Sequence, residues 1–353
     1  MILHSLPWTP FHPTLRAAGP REFDKVLLIT EGPPQGGAER LTMRQVRFYE
    51  YGGPDVLRVE EAQEPIPGPG ELLVATEAIG VTLPAVRMVR GEGARGPLPG
   101  VIGGEIAGTV VAVGPEMAGF DVGDRVTALS FGSAYAELAV APAQLASRIP
   151  AGATAVQAVA LIRSGHVALA ALATASPKAT ESVLITGAAS GVGHLAVQLA
   201  KLHGVRRVVA AVSSPGKAEF LRTLGADEVV TYASDPWTEP VDVVLDAVGG
   251  DLLTREIAAM APGGRLVFFA SGGGTVSAFD LLTGSKTITG MTMRSFARTN
   301  RARYDRHGEQ LWALMLEGKL RPAIHAQIPL SDAARAHEII ESRANLGKVV
   351  LLP

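Results

Sequence analysis

An α/β fold with a parallel sheet covered on both faces, joined to a separate β-rich barrel or sandwich, is predicted by three features of the sequence. Residues 182–270 alternate short apolar strands with helical stretches. Residues 43–148 carry short apolar strands separated by turn signals. At the first strand-to-helix junction stands Thr186-Gly187-Ala188-Ala189-Ser190-Gly191-Val192-Gly193, a loop of small residues.

The β-rich part opens on Arg44-Gln45-Val46-Arg47-Phe48-Tyr49-Glu50, which alternates as a half-buried strand does. Turns follow at Gly52-Gly53-Pro54, Pro65-Ile66-Pro67-Gly68-Pro69-Gly70, Pro97-Leu98-Pro99-Gly100 and Val122-Gly123-Asp124. Strands are expected at 71–78, 106–113 and 135–140. An alanine-rich helix is expected at 155–175. Strands at 182–186, 207–212, 228–231, 241–246 and 265–270 then alternate with helices at 195–203, 215–224 and 252–260. A final strand is expected at 287–293, a helix at 331–342 and a closing strand at 348–352. Residues 1–42 show no periodicity beyond the apolar patch Val26-Leu27-Leu28-Ile29. They read as an extension, with Met43 as the true start or with a loose segment ahead of it.

A chain of 353 residues exceeds one simple core, so two domains are expected. The net charge of −2 leaves no basic excess to neutralise phosphates, so nucleic acid is not an expected partner. Cysteine is absent, which excludes disulfides, thiolate nucleophiles, iron–sulfur clusters and cysteine-ligated zinc. No apolar run is read as approaching the roughly 20 residues of a membrane span. Pro7, Pro10 and Pro13 interrupt any signal-like segment. A cytoplasmic protein without a membrane partner is the expectation.

The glycine loop lets backbone amides approach a pyrophosphate, and the helix that follows favours its charge. Strand, loop, helix and second strand occur in the order of a Rossmann dinucleotide site. Ala189, Ser190, Gly191, Val192 and Gly193 are the expected contacts. NAD-binding chains place Asp or Glu at the end of the second strand. This one reads Ala211-Val212-Ser213-Ser214, with Lys217 close behind. A hydroxyl and a nearby cation suit a 2′-phosphate, so Ser213 and Lys217 point to NADPH. The short-chain dehydrogenase reading fails, because none of Tyr49, Tyr51, Tyr135, Tyr232 or Tyr304 has Lys four residues later.

Residues 43–353 resemble the medium-chain dehydrogenase/reductase family, in its zinc-independent quinone oxidoreductase (zeta-crystallin-like) branch. The resemblance is carried by Phe48-Tyr49-Glu50-Tyr51-Gly52-Gly53-Pro54, Val122-Gly123-Asp124-Arg125-Val126, Leu224-Gly225-Ala226-Asp227, Asp246-Ala247-Val248-Gly249-Gly250, Pro262-Gly263-Gly264-Arg265-Leu266, Ala336-His337-Glu338-Ile339-Ile340-Glu341-Ser342-Arg343 and Gly347-Lys348-Val349-Val350-Leu351. It implies a GroES-like catalytic barrel from residues 43–164 and 297–353, a Rossmann domain from 165–296, and an active site in the cleft between. It also implies a homodimer through Rossmann edge strands, here 287–293. Tyr232 falls where relatives hold the 2′-phosphate, Ala270-Ser271-Gly272 on the loop passing the nicotinamide, and Arg343 belongs to the tail on the cofactor side.

Zinc-using relatives carry Gly-His-Glu where this chain reads Gly103-Gly104-Glu105, so no metal is expected and Glu105 reads as structural. Other departures touch the active site. Thr82 replaces a usual Asn, Ala85 a common aspartate and Arg87 a common aromatic. Ser164-Gly165-His166 is aligned with a Gly-Leu-Thr motif. The chemistry implied is hydride transfer to a quinone or, alternatively, to an α,β-unsaturated carbonyl. Negative charge develops on oxygen in both, so Thr82, Arg87 and His166 are the candidate donors. Arg87 also suits an acidic substrate, and Arg163 a phosphate or a carboxylate. An NADPH-binding sensor without turnover is the reading of another class.

Overall fold

The computed structural model describes residues 42–93, 95–234 and 237–353. Apart from Thr42, the expected extension lies outside the described residues.

The first part of the chain lays down β1 (Thr42–Phe48), β2 (Leu57–Gln63), β3 (Glu71–Val81), helix α1 (Leu83–Arg90), β4 (Gly100–Val101), β5 (Gly104–Val113), β6 (Arg125–Ser130), β7 (Leu138–Pro142) and β8 (Ser147–Arg148). Helix α2 (Ala155–Ala175) follows. The middle alternates β9 (Ser182–Thr186), α3 (Gly193–Leu202), β10 (Arg207–Val212), α4 (Ala218–Thr223), β11 (Glu228–Thr231), β12 (Val241–Asp246), α5 (Leu252–Ala259), β13 (Met260–Phe268), α6 (Ala278–Leu282) and β14 (Thr287–Gly290). The chain ends with α7 (Met293–Thr299), α8 (Arg301–Leu316), β15 (Ile324–Pro329), α9 (Ala333–Glu341) and β16 (Lys348–Leu352).

Strands β9 to β14 pair in parallel in the order β11-β10-β9-β12-β13-β14. This is the doubly wound dinucleotide-binding order, with its crevice where the chain leaves β9 and β12 in opposite directions. All of Ser182–Thr186 is buried, because helices cover both faces of the central strand. The second large sheet, β15-β16-β3-β5-β6-β8 with β7 also on β3, is mostly antiparallel. It joins both ends of the chain, since β16 pairs with β3. A smaller sheet, β2-β1-β4, lies beside it.

Helix α2 starts in a capping box formed by Thr154 and Gln157. It packs against β3 and β5 of the barrel sheet and against α3 and α8. Its length and apolar content pass for a bilayer span, which corrects the expectation that no run approaches that length, but 78% of the apolar window is buried. The core of the protein already covers its hydrophobic surface.

Other differences have local causes. The strand expected at 287–293 stops at Gly290, because Thr292 caps α7 by accepting a hydrogen bond from the Ser295 amide at 3.2 Å. The strand expected at 265–270 starts earlier, at Met260, and ends at Phe268. The glycine-rich stretch 271–284 contains α6. The sixteen-residue α8 escaped the sequence reading because charged residues crowd its first half and blur the apolar period.

Candidate functional site

A cavity of about 990 Å³ opens between the parallel sheet and the barrel. Its floor is the glycine loop. Gly187 adopts φ +59°, which turns the chain sharply out of β9. The turn is held by Tyr232, whose hydroxyl accepts a hydrogen bond from the Gly187 amide at 2.8 Å. Gly193 does not line the cavity. A Cβ there would stand 2.2 Å from the Gly187 carbonyl oxygen, so this glycine permits close packing of α3 under the loop. Ala189, Ser190, Gly191 and Val192 do face the cavity.

At one end of the cavity stand Ser213 and Lys217 from the β10–α4 connection, Tyr232 from the stretch after β11, and Arg343 from the turn after α9. Lys217 Nζ donates to the Arg343 carbonyl at 2.5 Å. Partial burial, with the Arg343 guanidinium second, pulls the Lys217 ammonium below its ordinary range. Burial also pushes the Tyr232 phenol up to about 12. Two cations held together, with no ion-paired carboxylate on either among the described residues, form a receptor for an anion.

The loop after β12 completes the cofactor side. Asp246 is fully buried, and its Oδ1 accepts from Thr186 Oγ1 at 3.1 Å, the Val248 amide at 2.7 Å and the Gly249 amide at 2.8 Å. This fixes Ala247, Val248 and Gly249 as one wall. Ala270, Ser271 and Gly272, which follow β13, form the next stretch of wall.

The barrel side carries Thr82 and Arg87 into the cavity. Thr82 caps α1: its Oγ1 accepts from the Ala85 amide at 3.3 Å, which leaves its hydroxyl hydrogen for donation elsewhere. Arg87 reaches across the cavity and donates from Nη1 to Ser271 Oγ at 3.0 Å.

His166 is placed elsewhere, and this corrects its candidacy as a donor. Arg163, Ser164 and Val167 line the cavity, one face of a helix at i, i+1 and i+4, while His166 does not. It stacks on Tyr304, with ring centroids 4.0 Å apart and planes 8° from parallel. Burial, with His307 and Arg301 behind it, drives its pKa down to about 3. The imidazole is thus neutral, 2% exposed, and packed between α2 and α8.

Beneath the cavity Glu105, on β5, is 2% exposed. Arg163 Nη1 donates to its Oε1 at 3.0 Å, and Lys348 Nζ lies 2.5 Å from Oε2. Lys348 and Arg163 both line the cavity, with their charged ends paired to Glu105. In the sequence Lys348 stands only as part of the closing motif Gly347-Lys348-Val349-Val350-Leu351. The signal available was a lone lysine opening the apolar strand Lys348–Leu352. Asp246, likewise, announces itself as the one carboxylate closing a buried strand in front of a Gly-Gly pair.

Together the doubly wound sheet, the glycine loop and a cleft shared with a barrel define a nucleotide-dependent oxidoreductase of two-part architecture. Residues 68–151 match the family model described as alcohol dehydrogenase GroES-like domain, and residues 224–351 match the one described as zinc-binding dehydrogenase. A quinone oxidoreductase of Pseudomonas aeruginosa is 35% identical over 326 residues, 88% of this chain and 99% of its own length. The human quinone oxidoreductase is 31% identical over 88% of this chain and 98% of its own length. A mycobacterial protein solved in complex with NADPH is 35% identical, with a TM-score of 0.83 over 88% of this chain and all of its own. Escherichia coli quinone oxidoreductase, also solved with NADPH, is 30% identical, with a TM-score of 0.81 over 89% of this chain and all of its own. The chain belongs to the medium-chain dehydrogenase/reductase family, in its zinc-independent quinone oxidoreductase branch.

The zinc in one model's description does not fit the residues present. The sequence has no cysteine, and among the described residues no group of three or more His, Asp or Glu is arranged to hold a metal. Glu105, the carboxylate that survives from the zinc motif, is occupied by Lys348 and Arg163.

Proposed function

We propose that this protein is an NADPH-dependent oxidoreductase that reduces quinones. The observation that carries the reading is the convergence of Lys217, Arg343, Tyr232 and Ser213 at one end of a cleft floored by a dinucleotide loop. Two relatives solved with NADPH support the choice of cofactor. The quinone oxidoreductases among the relatives support the choice of acceptor.

The amides of Gly191 and Val192, ahead of α3, would hold the pyrophosphate. Lys217 and Arg343 would take the 2′-phosphate. Ala270, Ser271 and Gly272, facing Ala247, Val248 and Gly249, would sandwich the nicotinamide end. Bound there, the cofactor supplies a hydride to the acceptor. A quinone accepts one hydride and one proton, and negative charge builds on its oxygen before the proton arrives. The Thr82 hydroxyl and the Arg87 guanidinium are the barrel-side donors placed to stabilise that oxygen. The Arg163 and Lys348 charges at the floor favour the same build-up from a greater distance.

The partition into a catalytic domain of residues 43–164 and 297–353 and a cofactor domain of 165–296 accords with the two sheets. A cytoplasmic homodimer formed through β14 completes the proposal. Strand β14 ends the parallel sheet, and Phe279 and Leu282 on the preceding α6 are 68% and 72% exposed. Replacing both by Glu should yield a monomer in light scattering; an unchanged mass would remove this interface.

NADPH oxidation followed at the nicotinamide absorbance band, against a set of quinones and a set of enones, tests the reading. Turnover with quinones is expected. NADPH binding without oxidation by any quinone would contradict it, and turnover confined to enones would replace the acceptor.

A further inference from the structure

The cations around the cleft fall into two groups by what holds them. Arg90 is closed by two 2.6 Å hydrogen bonds from Nε and Nη2 to Glu341. Arg163 and Lys348 share the buried Glu105. Lys217 is engaged with the Arg343 carbonyl at the far end. Among the barrel-side cations Arg87 has neither a bidentate nor a buried carboxylate partner. Its Nη1 donates to a neutral hydroxyl, Ser271 Oγ, and its Nε lies 3.3 Å from Glu92 Oε2. That separation exceeds the usual length of a charge-assisted hydrogen bond. The Glu92 side chain is also 58% exposed, so water and salt screen the pair.

Apolar side chains share the cavity with Arg87. Leu83 and Val86 from the barrel side and Met291 and Met293 from the sheet side line the same cavity. Arg87 Nη2 lies 3.6 Å from the point a Cβ on Gly272 would occupy, so the guanidinium runs along open backbone and not against a side chain. A weakly engaged guanidinium in a cleft that also carries apolar side chains suits a flat, conjugated body that carries an anion. With such an acceptor the anion would replace Glu92 and Ser271 as the partner of Arg87, and the Thr82 hydroxyl would be the donor left to the reacting oxygen.

We propose that Arg87 is a specificity-determining residue that selects acceptors bearing a carboxylate or sulfonate on a planar conjugated carbonyl framework. The inference rests on the quinone-reductase reading for turnover, and on the geometry of Arg87 alone for binding.

The test compares 9,10-anthraquinone-2-sulfonate and a neutral anthraquinone of matched solubility on the NADP⁺-loaded enzyme, with binding read by calorimetry. The same comparison is made on Arg87→Gln and Arg87→Lys. A second comparison uses a sulfonated and an unsubstituted naphthoquinone, with kcat/KM read under NADPH. The preference for the anionic member should fall about ten-fold in Arg87→Gln, the loss of one charge-assisted hydrogen bond, and survive in part in Arg87→Lys. It should also weaken in the wild type as salt is raised. Taking ratios within each protein cancels differences in intrinsic reactivity and in the fraction folded. An unchanged ratio in Arg87→Gln, or no binding of the anionic quinone by the wild type, would overturn the inference. An anionic quinone bound through Arg87 but never reduced would sustain the inference and defeat the quinone-reductase reading, so the two failures are distinct.

Discussion

Lys348 Nζ lies 2.5 Å from Glu105 Oε2, and both side chains are almost wholly out of water, at 4% and 2% exposure. Their contact is an ion pair, not an aligned hydrogen bond, and Arg163 neutralises the other carboxylate oxygen. A carboxylate in that position is tolerated only while its cations remain. Burial pulls the Lys348 ammonium below its ordinary value, and Glu105 opposes that pull. Lys348→Met should therefore lower stability by about 3–5 kcal/mol in urea unfolding, the usual cost of removing one partner of a buried pair. The double variant with Glu105→Gln should recover part of the loss. A single variant as stable as the wild type would mean that the pair is not a buried charge pair in solution.

Gly191 and Gly193 should respond differently to the same substitution. A Cβ on Gly193 would meet backbone at 2.2 Å, whereas one on Gly191 would meet only the Lys348 Cδ at 3.4 Å and the Ser164 Oγ at 3.6 Å. Gly193→Ala should fail to fold or lose several degrees of Tm. Gly191→Ala should fold and lose NADPH affinity, because its methyl enters the space read here as the pyrophosphate site. Circular dichroism and NADPH fluorescence titration separate the two. The reverse pattern would show that the loop does not hold a cofactor as described.

Lys217→Ala tests the 2′-phosphate assignment. The KM for NADPH should rise about ten-fold, the size of one charge-assisted hydrogen bond, while the KM for NADH stays near its starting value. Equal rises for both would place Lys217 outside the 2′-phosphate site.

Glu256 supplies a pH signature beneath the cofactor wall. It is fully buried, and burial, with Asp246 second, raises its carboxyl to about 9. A native carboxyl pKa above the unfolded one means that the native state binds more protons across the interval. Its contribution to stability is complete below the unfolded value near 4.5 and is lost as pH rises through about 9. Glu256→Gln should remove this term, so the variant should gain Tm over the wild type progressively from pH 5 to 9. Parallel Tm curves would show that Glu256 is already ionised.

His166 carries the opposite sign. Its native pKa of about 3 lies below the ordinary 6.5, so its contribution is present above 6.5 and is lost as pH falls toward 3. His166→Phe keeps a ring against Tyr304 and removes the titration. It should be less acid-sensitive between pH 6.5 and 4 and should turn over NADPH as the wild type does. A large loss of turnover in a folded variant would restore His166 to the mechanism.

The parallel sheet was legible because its strands are short, apolar and separated by glycine punctuation. Ser182–Thr186, Arg207–Val212, Glu228–Thr231 and Val241–Asp246 fall where the pattern places them. The cofactor loop was legible because only small residues fit so close to backbone. Polar helices were not: α8 hides its period under charge, and α1 begins with Leu83-Pro84 after a strand. The site was half legible for a related reason. Thr82 and Arg87 sit at a strand end and on a short helix beside it, where order along the chain places them in the cleft. The facing of His166 depends on rotation about α2, and an apolar helix buried on nearly every side gives no polar face from which to read that rotation. Lys348 and Glu105 lie 243 residues apart in the sequence, and only the pairing of β16 and β5 with β3 brings them together.

The most direct test of the account is NADPH-dependent reduction of a quinone by enzyme treated with a strong chelator. One quinol should form per NADPH oxidised, at a rate that the chelator leaves unchanged, and NADH should serve less well. A rate abolished by the chelator and restored by zinc, or no quinol formed while NADPH remains bound, would contradict the account.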